Sequence, residues 1–149
     1  MKSDNPLRHF AITFGIAVLV YVIFYAGIEH RRTRNGPWQV VFTNDSIGAP
    51  TLLINQPKLA ITNLQITFAG ETNSNSAPAL LVFNTPRQTP YDVPFGKCVF
   101  MDTTFLPGTV VFDLFGHEIQ LMPRVLTIDK KEIHWQSSAT IGVPRTNKF

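Results

Sequence analysis

The hydrophobic pattern of this chain changes character once. From Phe10 to Ile28 the sequence FAITFGIAVLVYVIFYAGI runs nineteen residues without a charge and without a polar face. At 1.5 Å per residue such a helix is roughly 28 Å long, close to the hydrocarbon thickness of a bilayer, so the pattern predicts a membrane-spanning helix. Its ends are legible as well. Asn5 is a good N-cap and Pro6 suits the first helical position, while Asn35-Gly36 followed by Pro37 forms a stop. A cleaved signal peptide is the rival reading. It is disfavoured because the apolar run exceeds the usual core of such a peptide, bulky Phe24 and Tyr25 stand where cleavage would begin, and no A-x-A pattern follows.

After Pro37 the helical period vanishes and short apolar runs separated by turn residues replace it. Expected strands are 38–43, 51–54, 63–68, 80–83, 97–101, 109–114, 117–121, 124–128 and 132–135. The clearest alternation is Asn63-Leu64-Gln65-Ile66-Thr67-Phe68, which puts three apolar side chains on one face and amides and a hydroxyl on the other. Residues 70–78 lack large apolar groups and read as a loop. The prolines between 86 and 94 are expected to prevent regular pairing until about Lys97. Many short strands with turn signals and no second helix predict an all-β domain, an antiparallel β-sandwich or small barrel. The expected organisation is a tail and transmembrane helix over 1–35, a β-rich domain over 36–135, and a polar C-terminal tail over 136–149.

Charge sharpens this picture. The 149 residues carry 13 basic and 10 acidic groups. Residues 1–35 hold five of the former (Lys2, Arg8, Arg31, Arg32, Arg34) and two of the latter (Asp4, Glu29), which leaves eight of each for the rest. The whole excess flanks the apolar run, so it reads as charge at a membrane surface and not as a nucleic-acid footprint. Arg31, Arg32 and Arg34 are the expected membrane-flanking cations. Basic residues on both sides of the helix nearly balance the positive-inside rule, whose slight lean is toward a cytoplasmic C-terminal domain; a short basic N-terminal tail nevertheless matches a signal anchor, and the C-terminal domain is expected on the extracytoplasmic side. Ala11 and Gly15 stand four apart, a spacing more often incidental than a dimerisation seam.

Candidate chemistry is sparse. The lone cysteine, Cys98, lies in the apolar run Cys98-Val99-Phe100-Met101 and is expected to be a buried, inert thiol. His117, Glu118 and His134, with Asp113 nearby, are the best candidates for a metal or proton-transfer site. Neighbours on a strand point to opposite faces, however, so His117 and Glu118 are expected to be separate polar positions. No G-x-S-x-G, C-x-x-C or H-E-x-x-H occurs and no glycine cluster could cradle phosphate, so no catalytic residue and no cofactor is expected. Of the twelve phenylalanines, those inside strand patterns (Phe42, Phe68, Phe83, Phe100, Phe112) are expected in the core. Phe95, Phe105 and Phe115 fall near turns and are the candidates for an exposed apolar patch toward a partner or the membrane surface, with the hairpin tip Phe115-Gly116-His117 as the candidate partner contact. The expected role is a membrane-anchored interaction, scaffolding or accessory-subunit module, with the bilayer and another membrane or envelope protein as partners. A membrane-tethered enzyme or metal-binding protein using His117, His134 and a carboxylate is the competing reading.

Overall fold

The computed structural model describes residues 5–74, 77–135 and 138–146, without the side chains of residues 31–35. The cationic side chains of Arg31, Arg32 and Arg34 therefore lie outside the described residues. Helix α1 (Pro6–Asn35) starts where the sequence indicates: the Asn5 side chain accepts a hydrogen bond from the Leu7 amide at 3.3 Å, and Pro6 needs no partner for an amide hydrogen it lacks. It ends at Gly36, whose φ of 67° an L side chain rarely adopts, and Pro37 prevents continuation. Thirty residues make a rod about 45 Å long. Its segment Pro6–His30 is long and apolar enough to cross a membrane, and none of its most apolar stretch is buried against the rest of the chain.

The remainder is a β-sandwich. One sheet has the order β11-β3-β2-β1-β4, built from β1 (Gln39–Asn44), β2 (Pro50–Gln56), β3 (Ile61–Phe68), β4 (Ala79–Val82) and β11 (Thr140–Val143). The other has the order β10-β9-β8-β7-β6-β5, built from β5 (Tyr91–Val93), β6 (Gly96–Asp102), β7 (Thr109–Leu114), β8 (His117–Leu121), β9 (Val125–Ile128) and β10 (Lys131–His134). Every pairing is antiparallel except β11 with β3. Alternation decides which side chains meet between the sheets. Leu64, Ile66 and Phe68 are fully buried on one face of β3, as are Val40 and Phe42 on β1 and Leu52 and Ile54 on β2. From the opposite sheet come Phe112, Leu114, Ile119 and Leu121.

Aromatic rings knit the two layers together. Phe42 meets Phe95 and Phe112 edge-on at 5.3 and 6.0 Å, Phe83 meets Phe112 at 5.4 Å, and Phe68 meets Phe95 at 6.5 Å. Such pairs add about 0.5–1.5 kcal/mol each beyond the area they bury.

Four expectations need correction. Phe95 is a core residue and not part of an exposed patch. Phe100 is half exposed, because a bulge between Cys98 and Phe100 inserts Val99 and turns the Phe100 ring to the outer face over Val111. The proline-rich segment does pair: β5 runs between Pro90 and Pro94 at the edge of its sheet, where a missing donor is tolerated. Gly96, which closes that hairpin, is obligatory, since a Cβ there would lie 2.1 Å from the Asp113 carbonyl oxygen. Finally, part of the expected polar tail is β11, whose Ile141 and Val143 pair in register with Ile66 and Phe68.

The join between helix and sandwich has no slack. Trp38, two residues past Gly36, is fully buried; its indole nitrogen donates to the Gly108 carbonyl at 3.0 Å and its ring lies 5.2 Å from that of Trp135. Gln56 is buried beside it. Its amide nitrogen donates to the carbonyls of Gly36 at 3.2 Å and Pro37 at 3.1 Å, and its amide oxygen accepts from the Lys58 amide at 3.2 Å. These bonds pair the two carbonyls that follow the helix and tie them to the end of β2.

The register generates a direct test. Phe68→Ala should cost about 3–5 kcal/mol, whereas Thr67→Ala, whose hydroxyl bonds Thr51 and Gln65 on the outer face, should cost about 1 kcal/mol. Denaturant melts of the two full-length variants in detergent check this. A Phe68→Ala protein as stable as Thr67→Ala would mean that β3 has the wrong face inward.

Candidate functional site

Two adjacent hairpin tips concentrate the polar groups of the domain. Each is a two-residue turn with both φ values positive, at Phe115-Gly116 (51° and 80°) and at Asp129-Lys130 (50° and 65°), the geometry that matches the twist of tightly joined strands. For Phe115 this backbone is costly, and packing offsets it: the ring lies 5.2 Å from Phe68 and 5.6 Å from Phe95. The expected exposed apolar tip is therefore corrected. Phe115 faces the core and Gly116 alone is open to solvent at that turn.

His117 starts β8 with its side chain turned inward, alternating with Ile119 and Leu121. It is buried beside Phe68, and both ring nitrogens have partners. Nδ1 lies 2.6 Å from Asp129 Oδ2, and Nε2 lies 2.7 Å from Thr146 Oγ1. An ionised carboxylate only accepts, so Nδ1 donates to Asp129, and the Thr146 hydroxyl lies against Nε2. The other Asp129 oxygen accepts from the Glu118 amide at 3.0 Å, and the Asp129 amide donates to the Glu118 carbonyl at 2.8 Å. One aspartate thus fixes the imidazole and the strand that carries it.

Hydroxyl, imidazole and carboxylate have here the connectivity of a nucleophile relay, but not its alignment. Thr146 Oγ1 is 3.4 Å from Nδ1 as well as 2.7 Å from Nε2. An oxygen placed along the Nε2 lone pair would be roughly 4.5 Å from the farther nitrogen, so this hydroxyl sits at the side of the ring. The arrangement suits a structural tie. It joins the tips of one sheet to the segment that follows β11 in the other.

The other sequence candidates are not brought to this point. Glu118 faces away from His117, as strand alternation requires, and accepts from Gln120 at 2.7 Å. Asp113 stands directly opposite Glu118 on the outer face, a like-charge pair offset by Lys97 on the other side of Asp113. Gly116, Asp113, Glu118, Asp129 and Lys130 line an open depression of about 460 Å³ with Val99. His134 pairs with Val125 at the far end of β10, five residue rises or about 16 Å along the sheet from His117. Among the described residues, no three His, Cys, Asp or Glu groups converge to hold a metal. A cleft of about 380 Å³ opens between the edge strands β10 and β11, floored by Ile128, Ile133, Ile141 and Val143 and closed at one end by His117 and Asp129.

Cys98 is fully buried and its thiol lies 3.5 Å from the Phe100 carbonyl. Burial pushes the thiol's pKa up, which keeps it protonated and poorly nucleophilic. Burial likewise raises the neighbouring Tyr91 hydroxyl, while the Arg87 guanidinium covers the Tyr91 ring at 4.2 Å. Sequence reasoning missed Asp129 and Thr146. Asp129 was legible only as a turn residue, and Thr146 fell in a segment read as tail. No family model, curated protein or solved structure matches the chain.

The tie predicts an order of effects. His117→Ala leaves the Asp129 carboxylate and the Thr146 hydroxyl without their partner and should cost about 1–3 kcal/mol, with faster hydrogen exchange in β11 than in β7. Thr146→Val should cost less. If His117→Ala speeds exchange in both strands equally, the tie has no special hold on β11.

Proposed function

We propose that this chain is a membrane-anchored accessory or interaction module, whose α1 lies in the bilayer as a single-pass anchor and whose sandwich presents a fixed surface to another membrane or envelope protein. The observation that carries this reading is the join. A helix with no apolar contact to its own domain along its span runs without a flexible linker into a buried tryptophan and a clamped glutamine. A tether that only kept an enzyme near a membrane needs no such stiffness; a module that must hold one orientation relative to the bilayer does. The paired or inward-facing polar groups agree with this, since His117 is engaged on both nitrogens and stands apart from His134. The charge balance across α1 is nearly even, and the extracytoplasmic placement rests on the short basic tail that is the usual form of a signal anchor.

Three readouts on the natural membrane test the proposal. The chain should resist alkaline carbonate, be digested by protease added to intact cells, and co-purify in mild detergent with a membrane protein at fixed stoichiometry. Extraction by carbonate would end the anchor reading. Protection from protease in intact cells, with digestion once they are opened, would reverse the orientation. A chain that purifies alone after cross-linking in the intact membrane would end the accessory reading.

A further inference from the structure

The sandwich has equal numbers of acidic and basic groups over residues 36–149, yet the strand register distributes them unevenly along its long axis and leaves a cationic excess at one end. The helix-proximal end is marked by Gly36 and by Trp38, which bonds Gly108; there lie the turn of 3-10 helix Pro57–Leu59, the loop 103–108 and the turn 122–124 between β8 and β9. The exposed cations at this rim are Lys58 and Arg124, with Arg87 beside Tyr91 nearby. Its carboxylate, Asp102, accepts from the Thr104 amide at 2.9 Å, a bond that holds its pKa below the ordinary range. The opposite end carries Asp45, Asp113, Glu118 and Asp129 with Glu71 and Asp92. Its cations Lys97, Lys130, Lys131 and Arg145 stand among these carboxylates, Lys97 opposite both Asp113 and Asp92 and Arg145 3.7 Å from Glu71, so that end has no cationic excess. The rim also exposes Phe105, 57% accessible at the tip of its loop.

We infer that this rim is a lipid-headgroup contact surface, which docks on the phosphates of an anionic bilayer around the anchor. The inference rests on α1 being inserted, and geometry then fixes which end meets the membrane. The apolar run ends at Ile28 and the helix at Asn35, so about 10 Å of helix project beyond the hydrocarbon, roughly the depth of the headgroup layer. The sandwich cannot fold back beside the span, none of which is buried, and the Gln56 clamp stops it from swinging away on a linker. The rim is consequently held at headgroup height. Cations there outnumber the one rim carboxylate and are attracted by anionic lipid over about one Debye length, while most carboxylates of the sandwich, with the cations among them, sit at the far end of the strands, beyond that range. Phe105 adds an aromatic ring of the kind that partitions into the interface.

The test uses the full chain reconstituted in vesicles of phosphatidylcholine alone, or with about a third phosphatidylglycerol. Hydrogen exchange is followed in the rim segments 57–60, 103–106 and 122–124, with the distal turn 45–48 as internal reference. Anionic lipid should slow exchange at the rim by roughly tenfold, leave the distal turn unchanged, and lose its effect at high salt or in the double variant Lys58→Glu, Arg124→Glu. Equal exchange in both lipid compositions overturns the inference while leaving the anchor intact. Protection at the distal turn instead of the rim overturns it too, and implies the opposite face docks. Failure of the chain to co-float with either vesicle removes the anchor reading along with it.

Discussion

Everything in this molecule depends on how a helix long and apolar enough to cross a membrane is stopped and handed directly to a β-sandwich. A helix end leaves carbonyls without partners, and the stop at Gly36-Pro37 adds a proline that cannot donate. Buried Gln56 meets the carbonyls of Gly36 and Pro37, just past the helix, with its amide hydrogens and gives its oxygen to the Lys58 amide, so its own polar atoms are all paired at the junction. Trp38 then enters the core at once and takes the Gly108 carbonyl as its partner. The direction of β1, and through it the register of its neighbours β2 and β4, is set from this point. With the residues after the helix clamped to β2 and the first core residue three positions past its end, orientation of the sandwich relative to α1 is a property of packing and not of a linker.

Much of this was legible from the chain. Asn5, Pro6, Gly36 and Pro37 mark the helix ends because capping is local chemistry. The strands through Leu64, Ile66 and Phe68 and the two hairpins over 109–134 were legible because alternation and turn residues are local too. What local pattern could not carry was pairing at long range. β11 holds only Ile141 and Val143 as large apolar residues, and its strand character comes from the edge of β3, more than seventy residues earlier. The Phe100 ring turned outward because of one inserted residue, and Phe115 turned inward against the preference of its backbone because Phe68 and Phe95 lie beneath it.

The candidate site was legible only in part, for the same reason. His117 stood out as a histidine at a hairpin, but its meaning lies in Asp129 from the next turn and Thr146 from beyond β11. Neither neighbour has a motif. The pairing of His117 with His134, natural in a sequence where both lie in hairpins, fails once register separates them along β10. Charge behaves similarly. A count over the domain gives neutrality, and only the strand directions reveal that the helix-proximal rim has more cations than carboxylates while the distal end, with its lysines and Arg145 among the acids, has the reverse.

The central claim is that anchor and sandwich form one mechanical body through Gln56. The most direct measurement is a pulsed dipolar distance between spin labels at Ala26→Cys in the helix and Ser46→Cys in the distal turn, with buried Cys98 left in place, in the reconstituted full chain. One narrow distribution is expected, and the variant Gln56→Ala should broaden it without loss of the folded sandwich, since it removes hydrogen bonds worth about 1–3 kcal/mol at the junction alone. A distribution as broad in the natural protein as in the Gln56→Ala variant would contradict the account and leave a sandwich hung loosely from its helix.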